Sequence, residues 1–139
     1  MLVLDTNHIV ELAYDRPAGQ TLRRRLAECA LPVATTIVCA EEQLRGWMAE
    51  LHKARDPQRW IALYQKLRER IEFFASWLMF DWDAEAAARF QQFRSQGIRI
   101  GAQDLKIACI TLEHDAMLLT RNTVDFAKVP GLRFENWLD

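Results

Sequence analysis

Four stretches of the chain set an acidic residue just past an apolar run or at the head of a helix. They are MLVLDTN with Asp5, TTIVCAEEQLRGW with Glu41 and Glu42, IGAQDLKIACITL with Asp104, and AMLLTRNTVDF with Asn122 and Asp125. A carboxylate in such a place either caps the helix that comes next or belongs to a site. Read alone, Asp5-Thr6-Asn7 is an ordinary capping sequence for a helix beginning near His8, and Asp104 serves as well as a cap for an almost wholly apolar helix. Glu42 differs. At about 100° per residue it lies nearly opposite the stripe of Leu44, Trp47, Met48 and Leu51, facing away from the packed side. Gly46 sits one turn later on the same face. A mid-helix glycine costs about 1 kcal/mol relative to alanine, so another group is expected to approach closely there.

Strand-length apolar runs at Leu2–Leu4, Val33–Thr35, Trp77–Phe80 and Met117–Thr120 alternate with longer amphipathic segments, which predicts a parallel sheet covered by helices. Ligands of such sheets gather outside the carboxyl ends of the strands, where Asp5 and the Thr120–Asp125 segment fall. Asp56 before Pro57 and Asp83 before Ala84 read as N-caps. From Pro57 onward, Trp60, Leu63, Tyr64, Leu67, Ile71 and Phe74 keep a helical stripe suited to a core or an interface. The 139 residues, 50% of them hydrophobic, suit one domain spanning 1–139. No run approaches the roughly 18 apolar residues of a membrane span, and the N-terminus lacks a leader pattern, so a cytoplasmic protein is expected. Cys29, Cys39 and Cys109 suit reduced thiols in the core rather than a disulfide framework. A net charge of −1 argues neither for nor against nucleic acid.

Taken together and in order, LDTN, TTIVCAEEQLRG, IGAQDLKIA and LLTRNTVDFAKVPGLRFENW resemble the PIN-domain ribonucleases, in particular the VapC-like toxins of bacterial toxin–antitoxin pairs. The resemblance covers essentially the whole chain and implies a three-layer α/β/α fold. It places the family's acidic cluster on Asp5, Glu42, Asp104 and Asp125, with Asn122 the alternative to Asp125 as the fourth member. Glu42 is preferred to Glu41 because the family's E-L-x-x-G spacing ends on Gly46, although Gln43 stands where many relatives have leucine. Thr6 resembles a hydroxyl that lies beside the metal. His8 reads as a first-turn helix residue rather than a base.

Two carboxylates about 5 Å apart repel by about 3 kcal/mol at an effective dielectric of roughly 20, so a cluster of four requires a cation. Oxygen-only ligation, without a cluster of His or Cys, selects Mg²⁺ or Mn²⁺ over zinc. Such an ion neutralises a scissile phosphate and lowers the pKa of a bound water, and the expected reaction is hydrolysis of RNA phosphodiester bonds. Asp5, Glu42 and Asp104 are then direct or water-mediated ligands, Asp125 an outer ligand or water orienter, and Thr6 and Asn122 polar support. Arg45, Lys106 and Arg121 are the cations nearest in sequence for binding RNA. Phosphate-loop and dinucleotide fingerprints are absent, and Asn7 stands where a haloacid-type phosphatase needs a second Asp. The competing class is a PIN-like partner-binding module with little nuclease activity. The resemblance also implies a cognate antitoxin and a homodimer. The apolar bulk of Trp47, Met48, Leu51, Trp60, Ile61, Leu63, Tyr64 and Leu67 exceeds what a small sheet needs, and part of it should stay exposed as the antitoxin's groove.

Overall fold

A computed structural model describes residues 1–139. Five strands form one parallel sheet: β1 (Leu2–Leu4), β2 (Val33–Thr36), β3 (Met79–Phe80), β4 (Met117–Leu119) and β5 (Arg133–Glu135), in the order β3-β2-β1-β4-β5. The four expected strands form, and β5 adds an edge strand that the apolar runs do not announce. Leu2, Val3 and Leu4 are all buried although neighbouring residues point to opposite faces, so helices cover the sheet on both sides in three layers. Leu2 pairs with Val33 on one side and Met117 on the other. The order reverses at β1, which opens a crevice between the carboxyl ends of β1 and β4.

The helices are α1 (Thr6–Ile9), α2 (Pro17–Cys29), α3 (Ile37–Lys53), α4 (Pro57–Ala75), α5 (Ala84–Ser95), α6 (Ala102–Glu113) and α7 (Thr123–Phe126), with a 3₁₀ turn over Val10–Ala13. Capping sets their starts. Asp56 accepts from the Gln58 N–H, Asp83 from Ala86 and Thr36 from Cys39, each meeting an N–H that the helix cannot satisfy itself. Asp104 is no cap. Gly101 precedes α6, and Asp104 stands inside its first turn with its side chain bonded elsewhere. Cys39 and Cys109 are buried and Cys29 half-buried, all as free thiols.

Of the α3 stripe that the sequence places on the packed side, Met48 and Leu51 face α4, while Trp47 turns toward Val10 and Tyr14 and so lies outside the α3–α4 groove expected to include it. Val38, Cys39 and Ala40 of the first turns of α3 are the buried ones, while Met48 stays 48% exposed. On α4 only Leu63, Arg70 and Phe74 are buried, and Trp60, Ile61, Tyr64 and Ile71 remain open. The expected close approach at Gly46 is absent, since a Cβ added there meets nothing within 4 Å. Gly46 instead lines an open groove between α3 and the 3₁₀ turn, with Val10, Tyr14, Gln43, Trp47 and Glu50.

The glycine that the packing requires is Gly19. A Cβ on it would run into the Glu11 carbonyl and lie 3.2 Å from the Tyr14 oxygen, so its absence lets α2 rest on the segment leading out of α1. Gly19→Ala should therefore destabilise the protein by about 1–3 kcal/mol through overpacking. Gly46→Ala should stabilise it by up to about 1 kcal/mol. Urea denaturation of both variants checks the contrast.

Candidate active site

Asp5 follows β1, and the backbone that sets it there is itself held, because its N–H donates to the Leu119 carbonyl at 3.0 Å. The register Leu4 with Leu119, continued by one residue, brings Asp5 beside Thr120. Although only 4% exposed, the carboxylate is well supplied with donors. Oδ1 accepts from the Thr6 N–H at 2.7 Å, and Oδ2 accepts from the Thr120 hydroxyl at 2.7 Å and the Asn7 amide at 3.3 Å. Asp5 is thus both a helix cap and part of a cluster, and α1 begins at Thr6 rather than near His8.

Glu42 reaches the same place from α3. Its Oε2 accepts from the Thr6 hydroxyl at 2.6 Å, so Thr6 joins Asp5 to Glu42 through its main chain and its side chain. Asp104 comes from the first turn of α6, where Oδ2 accepts from the Asn122 amide at 2.8 Å. The same amide donates to Asp125 Oδ2 at 3.1 Å, and the Asn122 N–H donates to Thr120 Oγ at 3.0 Å. A single network therefore runs from Glu42 through Thr6, Asp5, Thr120 and Asn122 to Asp104 and Asp125.

Electrostatics divide the four acids. Burial pushes the Asp5 carboxyl above its ordinary range despite three hydrogen bonds, and the charge of Glu42 adds to the rise. Burial raises Glu42 too, with Asp104 and Glu41 adding to it, and burial and Asp5 raise Asp104. These three respond to one another's charge. Asp125 goes the other way, because the Asn122 amide and Lys128 hold its carboxyl below the usual range. Glu41 faces a different set of partners, Gln103 and Arg45.

No three Asp, Glu, His or Cys side chains stand close enough to grip an ion among themselves. The donors are nonetheless all oxygen, and for Asp5 and Asp104 no cation of the chain offsets the charge, while Arg45 offsets that of Glu42 in part. Such a set fits a hard divalent ion that keeps several of its waters, as Mg²⁺ does, better than a fully enclosed one. His8 is fully buried, with Nε2 accepting from the Trp137 N–H at 3.1 Å and Nδ1 beside Asn7 Oδ1 at 2.8 Å. Burial, with Arg121, lowers its pKa to about 4, so the ring is neutral and serves as a pin. Arg121 pairs with Asp139 through Nε at 3.3 Å.

Two members of the network, Thr120 and Asn7, have no role that the sequence alone assigns. Thr120 is the hub, and the one signal for it is a hydroxyl closing the run AMLLT at the same level of the sheet as Asp5. Asn7 braces Asp5 and also accepts from the Arg121 N–H at 3.2 Å.

Comparison with known proteins bears on the family and the fold. The chain is 29% identical over 139 residues to the tRNA(fMet)-specific endonuclease VapC of Shigella flexneri, covering 97% of this chain and 96% of that protein. It is 26% identical over 140 residues to the ribonuclease VapC2 of Haemophilus influenzae, covering 98% and 97%. The fold matches the structure of VapBC-1 from nontypeable Haemophilus influenzae with a TM-score of 0.75 at 21% identity, over 99% of this chain and 98% of the other. VapBC from Salmonella typhimurium, solved bound to DNA, matches with a TM-score of 0.73 at 24% identity, over 98% and 97%. No helix is long and apolar enough to cross a membrane. The PIN domain model matches residues 2–132, and the chain belongs to the PIN domain family.

Proposed function

We propose that this chain is a metal-dependent endoribonuclease, the toxin of a cytoplasmic toxin–antitoxin pair, and that it hydrolyses RNA phosphodiester bonds. The observation that carries the reading is the grouping of Asp5, Glu42 and Asp104 at the crevice of a PIN-family sheet, each raised above its ordinary range. Similarity along nearly the whole chain to proteins named as VapC ribonucleases supports it.

In this reading Asp5, Glu42 and Asp104 hold Mg²⁺ or Mn²⁺ directly or through water. When bound, the ion supplies charge stabilisation at the phosphate and activation of a water. The chain's own groups do the positioning. Thr120, Thr6 and Asn7 fix both oxygens of Asp5, and the Thr6 hydroxyl fixes one oxygen of Glu42. Asn122 acts as a clamp, its amide holding Asp104 toward the crevice while Asp125 serves as an outer ligand or water orienter. In hydrolysis the water loses one proton as its oxygen bonds to phosphorus, the phosphorus–oxygen bond to the leaving ribose breaks, and that ribose oxygen takes up a proton from solvent, so that protons balance.

The antitoxin's place is the groove between α3 and α4, about 380 Å³, lined by Met48, Leu51, His52, Trp60, Tyr64 and Leu67. Trp60 is 39% and Tyr64 60% exposed, unusual for side chains of this size. A homodimer would form through another surface.

Asp5→Asn should bring RNA cleavage and growth inhibition to background while leaving the fold intact, since the loss of one of three mutually repelling charges offsets the acceptor lost to Thr120 and Asn7. Cleavage at the unaltered rate would sink the nuclease reading and favour a partner-binding module. Excess EDTA should stop cleavage, with recovery in Mg²⁺ or Mn²⁺ and less in Ca²⁺, whose coordination is longer and looser. Trp60→Ala or Tyr64→Ala should weaken antitoxin binding by about 1–2 kcal/mol or more while cleavage stays near its unaltered level. Calorimetric titration beside a cleavage assay separates the two effects.

A further inference from the structure

A second cleft adjoins the acids and shares no residue with the α3–α4 groove. It holds about 370 Å³ and is lined by Ile37, Val38 and Glu41 of α3, by Trp82, and by Lys106 of α6. Its walls are the two helices that carry Glu42 and Asp104, and the charge of Glu41 in its lining acts on Glu42. Gln103 fastens the two helices here. Its amide donates to Glu41 Oε1 at 2.8 Å, and its oxygen accepts from Lys106 Nζ at 3.0 Å.

Trp82 is held on both sides. Before it, Phe80 is paired to Thr36 in the sheet; after it, Asp83 caps α5 by accepting from the Ala86 N–H at 3.0 Å. Phe90 meets the indole in a T-shaped contact, 5.8 Å between ring centroids. So braced, the indole is still 37% exposed, and Ile37 beside it is 39% exposed. Glu41 feels the ammonium of Lys106 only after Gln103 and Arg45, and Lys106 makes no ion pair with it, its hydrogen bond going to Gln103. A braced, open aromatic next to a cation outside any ion pair is the chemistry that binds a single nucleic-acid strand, the base on the ring and the phosphate on the charge.

We propose that this cleft is the subsite for one nucleotide flanking the cleaved bond, its base stacked on Trp82 and its phosphate on Lys106; the assignment rests on the ribonuclease reading above. The test measures binding of a short single-stranded RNA in EDTA, where nothing is cut. Trp82→Ala should weaken binding roughly five- to a hundredfold, the span of one lost base stack, and Trp82→Phe should restore most of it. Lys106→Gln should weaken binding and reduce the slope of log affinity against log salt by about 0.7. A probe carrying one abasic nucleotide at the subsite should bind the unaltered protein less well and Trp82→Ala no worse.

Equal affinity of Trp82→Ala and the unaltered protein overturns the subsite, as does a loss that the abasic probe fails to reproduce. Unmeasurable RNA binding by the unaltered protein overturns it too. Dissociation of a dimer by Trp82→Ala with RNA affinity unchanged assigns the cleft to a contact between copies and likewise overturns it. If the strand binds as described but Mg²⁺ brings no cleavage, the ribonuclease reading fails and takes the cleaved bond with it, and the cleft is a strand-binding site only. If cleavage is normal and Trp82→Ala binds equally, the subsite alone fails.

Discussion

A carboxylate that is 4% exposed must find donors or give up its charge, and Asp5 occupies that position at the end of the central strand. Much of the surrounding architecture meets that demand. The β1–β4 pairing brings the Thr120 hydroxyl, the start of α1 brings the Thr6 N–H, and the next side chain brings the Asn7 amide. Each donor has a second duty: Thr6 to Glu42, Thr120 to the Asn122 backbone, Asn7 to the Arg121 backbone. Satisfying one buried anion thus gathers the others around it. Their repulsion is only partly relieved, since hydrogen bonds solvate a charge without neutralising it, and burial with mutual repulsion raises all three carboxyls.

α3 distributes the molecule's tasks along its length. Its first turns are core, Glu41 and Glu42 stand at the crevice, and the later turns present open apolar surface toward α4. A helix with one buried end and one bare end is costly for a protein that stays free, and the bare end lies within a few turns of Glu42 on the same rod.

The four candidate strands were legible from short apolar runs, and the caps at Asp56 and Asp83 from residue type alone. β5 was not, because Arg133-Phe134-Glu135 is an edge strand with exposed ends and carries only one apolar residue. The acids were visible as residues at comparable places in the topology. Their arrangement was hidden, since Asp104 looks the same in sequence whether it caps α6 or bonds to Asn122. Gly46 invited a packing explanation that the open groove removes. Gly19, where the backbone contact does exist, offered no pattern of its own. Thr120 escaped notice because a hydroxyl ending a strand is common, and its role depends on the residue that the register sets beside it.

Asp5 and Thr120 are 115 residues apart in the chain and 2.7 Å apart in space. Closing so long a loop is slow and costs entropy that only the completed sheet repays. During synthesis Asp5 emerges first, and its principal donor arrives when most of the chain has been made. Fragments from stalled translation that end before β4 hold neither Thr120 nor Asn122 to order the acids. The order of elements along the chain thereby leaves the acidic network unassembled until β4 has been made.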